Sequence, residues 1–390
     1  MGAGVHYALP PMTSTRVPTL QALRAHAVAR SLFAPTTLPA ALRRMGYVQA
    51  DPIRAPARAQ DLILRHRVRD YRDGDLERRY PRLPVEEDAL HNYGFLQREL
   101  QALLHPRTLA QPLRIERAHP KLAAPVLEFV RANGPTHPRD LDAAHGGLSV
   151  TNYWGGNSSA ATHMLDTLHY RGALRVVRRD NGIRVYAVAD HHQRAAADGP
   201  DGAERALRLI ERLVDLYAPL PESSLRQLTM MLRYGAPHLA ERLVDRSLVH
   251  AALAGGRLRG LKVDGINWIV PVAETMKRTV PDTVRLLAPF DPVVWDRRRF
   301  ELFWGWRYRF EAYTPPAKRQ LGYYALPLLW RDQVVGWANL RTGDDRLAAE
   351  LGFAHSRPRE PAFRRELDAE LERMREFLMV GRVGRITYCR

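Results

Sequence analysis

The middle of the chain repeats itself, and the repeated unit constrains the fold more than any other feature. Residues 171–188 read RGALRVVRRDNGIRVYAV and residues 255–271 read GGRLRGLKVDGINWIVP. Each stretch has a glycine, a Leu-Arg pair, a basic strand, a turn at Asn181-Gly182 or Asp264-Gly265, and a second strand with aromatic and β-branched residues. The turn dipeptides predict β-hairpins, because glycine accepts the positive φ that a tight turn needs. Helical spacing precedes each hairpin: Lys121–Asn133, His137–Ala144 and Ser158–Tyr170 before the first, and Ala203–Tyr217, Pro221–Tyr234 and Pro237–Ala254 before the second. Three helices followed by a hairpin make a winged-helix unit.

The first region, Thr19–Ala118, fits a third and more decorated copy. Thr19–Phe33 and Leu38–Met45 read as helices, Tyr47–Asp51 as extended, and Ala55–Arg67 as a helix in which Leu62, Ile63 and His66 alternate with arginines. From Asp282 the pattern changes to strand-like runs, Glu301–Tyr313, Gly322–Trp330 and Gln333–Arg341, which predict a small barrel or sheet. Alternation puts Phe303, Trp304, Trp306, Tyr308 and Phe310 in its core, ahead of base stacking as their role. A charged amphipathic helix, Pro361–Val380, closes the chain. The expected fold class is α+β, with three tandem winged-helix domains followed by a small C-terminal β-barrel and a closing helix. The expected limits are a flexible leader at 1–18, winged-helix domains at 19–118, 119–195 and 203–280, a barrel at 281–346 and a helical segment at 347–390.

Charge narrows the partner. The formal net charge is +17, and of 59 lysines and arginines only Lys121, Lys262, Lys277 and Lys318 are lysine. Arginine forks fit phosphate oxygens and stack on bases, so the expected partner is a polyanion, double-stranded DNA ahead of RNA. With 45% hydrophobic residues the 390-residue chain has ample material for packed cores. Cys389 is the single cysteine, which leaves neither a disulfide nor a thiolate zinc cage. No apolar run reaches membrane-spanning length and no signal peptide is evident, so the expected location is the cytoplasm, with a monomer bound to no membrane. The motifs of NTPases, zinc proteases and acyl-transfer enzymes are absent, and no metal or cofactor is expected; His191-His192 reads as an incidental surface pair.

One segment carries candidate chemistry. In Gly46-Tyr47-Val48-Gln49-Ala50-Asp51-Pro52, period-two alternation aims Gln49 and Asp51 to the same side. By spacing alone the pair reads first as a polar strand end that caps the next helix. Hydrolysis of an N-glycosidic bond, however, develops positive charge on the sugar and needs a water on the opposite face. A carboxylate can stabilise that cation and deprotonate the water, while a neutral amide holds the water without quenching the anion. A base alkylated at a ring nitrogen leaves neutral, so no general acid is required. Arg54, Arg58, Arg65 and Arg67 follow directly and would bind flanking phosphates. Scarce lysine argues against a Schiff-base lyase step. Two further segments are candidates for DNA contact: Trp154 with Asn157 and Ser158, either a phosphate grip or a helix N-cap, and Arg297-Arg298-Arg299. Asp291 and Trp295 read as scaffold.

With these residues in view, the chain resembles the YcaQ/AlkZ-type winged-helix DNA glycosylases, from about Thr19 to the last helix. The matching blocks are Tyr47–Arg67, Trp154-Gly155 through the wing to Val188, Leu286–Arg297, and Phe310–Arg319 with Gly322–Leu329. The resemblance implies a monofunctional glycosylase that excises alkylated purines (N7 or N3 adducts) and unhooks interstrand crosslinks. It puts the Gln-apolar-Asp motif of the YcaQ-like branch on Gln49, Ala50 and Asp51. Two positions depart from that pattern: Ala50 is smaller than the expected apolar residue, and Gln60 stands where histidine is expected. The alternative is a non-enzymatic winged-helix DNA-binding protein, a regulator or a lesion-binding factor.

Overall fold

The computed structural model describes residues 18–145, 149–151, 157–189, 201–276 and 279–389, with the backbone alone for 145, 149–151 and 157–158. The leader through residue 17, Trp154, and the His191-His192 pair lie outside the described residues.

Local chemistry sets the first elements. Thr19 caps α1 (Leu20–Ser31) and Thr37 caps α2 (Leu38–Met45), each through its side-chain oxygen, and Gly46 ends α2 at a φ of 73°. β1 (Tyr47–Gln49) follows. The next helix, α3 (Ala59–Leu64), is shorter than Ala55–Arg67: Pro52 and Pro56 lack N–H donors, and bends at 52 and 55–57 precede it instead. α4 (Asp75–Arg79) leads to β2 (Val85–Ala89) and β3 (Tyr93–Gln97), a hairpin whose second strand also pairs with β1, giving the order β1–β3–β2.

α5 (Arg98–Ala102) packs on β2 and β3, and α6 (Arg114–Ala118) follows; the second unit then contains α7 (Ala123–Asn133), α8 (Pro138–His145), the short pair β4 (Ser149–Thr151) and β5 (Asn157–Ser159), α9 (Ala160–Arg171), and the hairpin β6 (Leu174–Asp180) and β7 (Ile183–Val188). The third runs through α10 (Gly202–Tyr217), β8 (Leu220–Pro221), α11 (Glu222–Leu232), α12 (Ala240–Val244), α13 (Arg246–Ala254), β9 (Leu258–Val263) and β10 (Ile266–Pro271), with strand order β8–β10–β9. Both hairpin turns form where the dipeptides require them: Asn181, Gly182, Asp264 and Gly265 all have positive φ. The expected helix Pro237–Ala254 breaks at Asp245, whose side chain caps α13.

The three hairpins share one topology. An upstream extended residue pairs with the second hairpin strand each time: β1 with β3, Thr136 with Tyr186 of β7, and β8 with β10.

The C-terminal part departs from the strand pattern. Glu301–Tyr313 is not a strand; Arg297–Trp304 is a helix, α14, capped by Asp296 at its start and by Gly305 in the left-handed region at its end. Phe300, Phe303 and Trp304 lie three and four apart, so the same residues that mimic alternation also bury one helical face. The sheet is β11 (Val284–Leu286), β12 (Leu326–Trp330), β13 (Gln333–Gly343), β14 (Arg346–Phe353) and β15 (Arg382–Tyr388), paired in chain order. It is open, with β11 and β15 as its edges among the described residues, and not a closed barrel. β15 runs parallel to β14 after the crossover helix α15 (Pro361–Leu378), so the segment expected to be helical from 347 supplies two strands.

The first region is the hub. Its residues Leu62, Ile63 and Phe95 share a core with Val126 and Met164 of the second unit and with Leu326 and Phe363 of the C-terminal part. Tyr47 and Leu96 share another with Leu213 and Ile269 of the third unit. β1 therefore lies where all the parts meet.

Candidate active site

Gln49 is the last residue of β1 and is 7% exposed. It sits opposite Gly94 of β3, where a side chain would run into the Val48 carbonyl and the Tyr47 ring, so only glycine permits this close pairing. Its Oε1 accepts a hydrogen bond from Trp295 Nε1 at 2.9 Å and a longer one from Asn92 Nδ2 at 3.4 Å. Both partners are donors, so the oxygen is held on the inner side and Nε2 is the face left for another group. Behind Gln49, His91 packs edge-on to Trp295 (4.9 Å) and to Tyr217 (5.6 Å), and its Nε2 lies 2.9 Å from the Tyr217 hydroxyl. Burial pushes the His91 pKa down to about 3, so this ring is neutral and serves as an apolar wall.

Asp51 is two residues on, half-buried, in the corner between β1 and α3. Its Oδ1 accepts the Ile53 N–H at 2.9 Å, an Asx-type turn ahead of the helix. Burial raises its pKa, an effect the Ile53 hydrogen bond opposes. Among the described residues Asp51 forms no ion pair, although many other carboxylates of this chain are paired with arginine. Gln60, in the first turn of α3, is 2% exposed and accepts the Asp51 N–H at 3.4 Å, so the residue that departs from the family pattern touches the motif directly. Across the corner stands Tyr324, buried with its hydroxyl unpartnered; burial pushes its pKa well up, and the Asp51 carboxylate adds to the shift.

The arginines divide sharply. Arg54 is exposed and pairs with Asp73 at 3.1 Å, and Arg58, before α3, pairs with Glu77. Arg65 and Arg67 do not face solvent. Arg65 binds Glu370 of α15 and the Leu286 carbonyl; Arg67 is 0% exposed and forms a bidentate pair with Asp291 (2.7 and 3.0 Å) while donating to the Ser31 and Ile63 carbonyls. These two fasten α3 to the C-terminal part, which corrects their expected contact with phosphate. Of the Arg297-Arg298-Arg299 run only Arg298 is exposed. Arg299 is buried and bonds the carbonyls of Tyr217, Pro292 and Val293, while Arg297 bonds those of Val294 and Pro289 and lies over Tyr308 at 4.5 Å. Burial removes Arg299 from the expected DNA contacts, whereas Arg297 is half-buried and lines a cleft with Arg309 and Lys318. Asn157 and Ser158 are in β5, with side chains outside the described residues. Asp291 is scaffold as expected; Trp295 is also a partner of the site.

A sequence model described as "DNA glycosylase AlkZ-like" matches residues 42–377, most of the chain and all of the corner just described. The chain belongs to the AlkZ-like DNA glycosylase family. AlkZ-like proteins are DNA glycosylases, which hydrolyse N-glycosyl bonds, so this is a DNA-repair enzyme with DNA as its substrate. The solved structure of Streptomyces sahachiroi DNA glycosylase AlkZ has the same fold, with a TM-score of 0.61 at 16% identity over 96% of this chain and 100% of that one. No helix among the described residues is long and apolar enough to cross a membrane.

The AlkZ-like assignment leaves three residues that sequence reasoning did not place at the site: Asn92, Trp295 and Tyr324. Asn92 lies in the β2–β3 turn. Trp295 and Tyr324 stand 246 and 273 positions from the residues they face, and no local periodicity encodes a pairing at that separation.

Proposed function

We propose that this enzyme is a monofunctional glycosylase for purines alkylated at N7 or N3, and that it also unhooks crosslinks built on such adducts. Asp51 stabilises the oxocarbenium-like sugar and takes the proton of the attacking water, and Gln49 orients that water through Nε2. Water oxygen bonds to C1′ as the C1′–N bond breaks; its electron pair neutralises the cationic ring nitrogen, and the water proton passes to Asp51. The products are the free base and an abasic site. Because the leaving base is neutral, one carboxylate and one amide suffice. We read the three hairpin units as tandem winged-helix domains that, with the C-terminal sheet, hold duplex DNA. Exposed Arg54 and Arg298, with Arg58, are then the backbone contacts retained from the sequence, together with Trp154, Asn157 and Ser158.

The observation that carries this reading is the unpaired, half-buried Asp51 carboxylate in a chain of net charge +17. Asp291, whose role is structural, is by contrast paired with Arg67. The test incubates wild type and Asp51→Asn with an N7-methylguanine duplex and a nitrogen-mustard-type crosslink and scores abasic sites. Wild type releases base, and Asp51→Asn falls by roughly 10²–10³-fold with unchanged duplex affinity. Since catalysis needs the carboxylate, the acid limb of the rate profile lies above the 3.8 of an ordinary aspartate. Absence of release by wild type refutes the substrate assignment; an active Asp51→Asn refutes the role of Asp51.

A further inference from the structure

The segment between α14 and β12 presents an aromatic ring to solvent on a rigid support. Tyr313 is 76% exposed, the most exposed of the large apolar or aromatic side chains among the described residues. A free loop would let such a ring fold back on the surface, but this loop is tied at several points. The buried Glu311 carboxylate gathers the backbone N–H groups of Gln320, Leu321 and Gly322 at 2.8, 2.7 and 3.3 Å. Arg319 Nε donates to the Thr314 carbonyl at 2.8 Å, and Asn339 of β13 donates to the Leu321 carbonyl at 2.7 Å. Pro315 and Pro316 stiffen the tip, with a 3₁₀ turn over Pro316–Lys318. Rigid presentation of an exposed ring lowers the entropy lost when something stacks on it.

The ring's surroundings indicate what stacks there. Arg309, Lys318 and Arg319 flank it, and among the described residues none of the three is in an ion pair; Arg319 lies over Tyr323 at 5.0 Å. Arg309 and Lys318 also rim a cleft of about 610 Å³ floored by Tyr308 and Phe310. Unpaired cations beside exposed rings fit a nucleic acid, which carries phosphates and π-faces together. The loop also has a direct route to the catalytic corner. Tyr313 packs on Phe310 (6.0 Å), Phe310 packs edge-on to Tyr324 (5.3 Å), and the charge of Asp51 acts on the buried Tyr324 phenol.

We propose that Tyr313 is a nucleobase-stacking residue that packs against a base of the duplex beside the target nucleotide, while Arg309, Lys318 and Arg319 hold the flanking phosphates. The proposal rests on the reading of Asp51 as the reacting side. Holding one base by stacking fixes the strand's register relative to the carboxylate.

The experiment uses the full chain and a duplex with one tetrahydrofuran abasic site flanked by 2-aminopurine, read by fluorescence and by affinity. Wild type changes the 2-aminopurine signal on binding. Tyr313→Ala, a surface change checked for unaltered thermal unfolding, loses that response and about tenfold in affinity, and Tyr313→Phe retains both. Tyr313→Ala that binds within twofold of wild type with the same response overturns the proposal, as does a wild type without any response. This readout needs no base release. Failure to cleave N7-methylguanine with an intact stacking response therefore refutes the substrate assignment alone, whereas unimpaired cleavage with no response refutes the stacking role alone.

Discussion

At Gln49 the geometry of one amide decides what the residue can do. Trp295 and Asn92 both donate to its oxygen, which turns the amide nitrogen toward the open side. Trp295→Phe keeps the aromatic wall against His91 but removes the 2.9 Å donor, so the amide can rotate. Single-turnover base release should slow about tenfold with duplex affinity unchanged, and an unaltered rate would refute the positioning role. A second residue-scale expectation concerns Asp61, which is 1% exposed and accepts hydrogen bonds from the Tyr71 hydroxyl (2.7 Å) and the Gly74 N–H (3.2 Å), with no ion pair among the described residues. Burial raises its pKa from 3.8 to about 7. The folded chain thus keeps a proton that the unfolded chain releases between those values, and this group's contribution to stability falls as pH rises through that window. Asp61→Asn, which keeps the acceptor and cannot ionise, should raise stability by roughly 1–3 kcal/mol at pH 8 and change it little at pH 4, measured by denaturant unfolding.

At the scale of elements, β2 does what its composition argues against. Glu86, Glu87 and Asp88 are consecutive acids, each 1% exposed. Burial alone would drive them neutral, but each meets its counter-charge from another element. Glu86 binds Arg98 and Arg175, Glu87 binds Arg179 and Tyr93, and Asp88 binds Arg107, His105 and Gln101. For Asp88 the burial penalty is outweighed by Arg107 and His105, which hold its pKa well below the ordinary range. Arg175 and Arg179 belong to β6, so the basic character of this hairpin anchors it to the first unit and is not reserved for DNA. Glu87→Ala leaves the partly buried Arg179 guanidinium without its carboxylate and should cost roughly 2–4 kcal/mol. Hydrogen exchange should show β6 and β7 loosening selectively, and uniform protection would mean that the pair does not tether the hairpin. The hairpins were legible because Asn-Gly and Asp-Gly turns are local chemistry. The helical nature of Arg297–Trp304 was not, because aromatic residues at positions 300, 303 and 304 satisfy a helical face while the longer run imitates alternation.

Across the whole molecule, the net charge of +17 conceals two populations of arginine. One is internal: Arg67, Arg299 and Arg107 are at most 3% exposed and bind backbone carbonyls or buried acids that join distant parts of the chain. The other, including Arg54, Arg298 and Arg309, remains at the surface. By itself, the sequence determined the hairpins, the α+β class and the polyanionic partner, and it singled out the Gln49–Asp51 segment. Each follows from residues close together in the chain or from composition. Only the tertiary structure decided which arginines are free, that the C-terminal strands form an open sheet closed off by a parallel β15, and that Trp295 and Tyr324 complete the corner at Asp51. Those outcomes depend on burial and on partners hundreds of positions away, where a guanidinium is as well satisfied by a carbonyl or a carboxylate as by a phosphate, and the sequence carries no mark of which it meets.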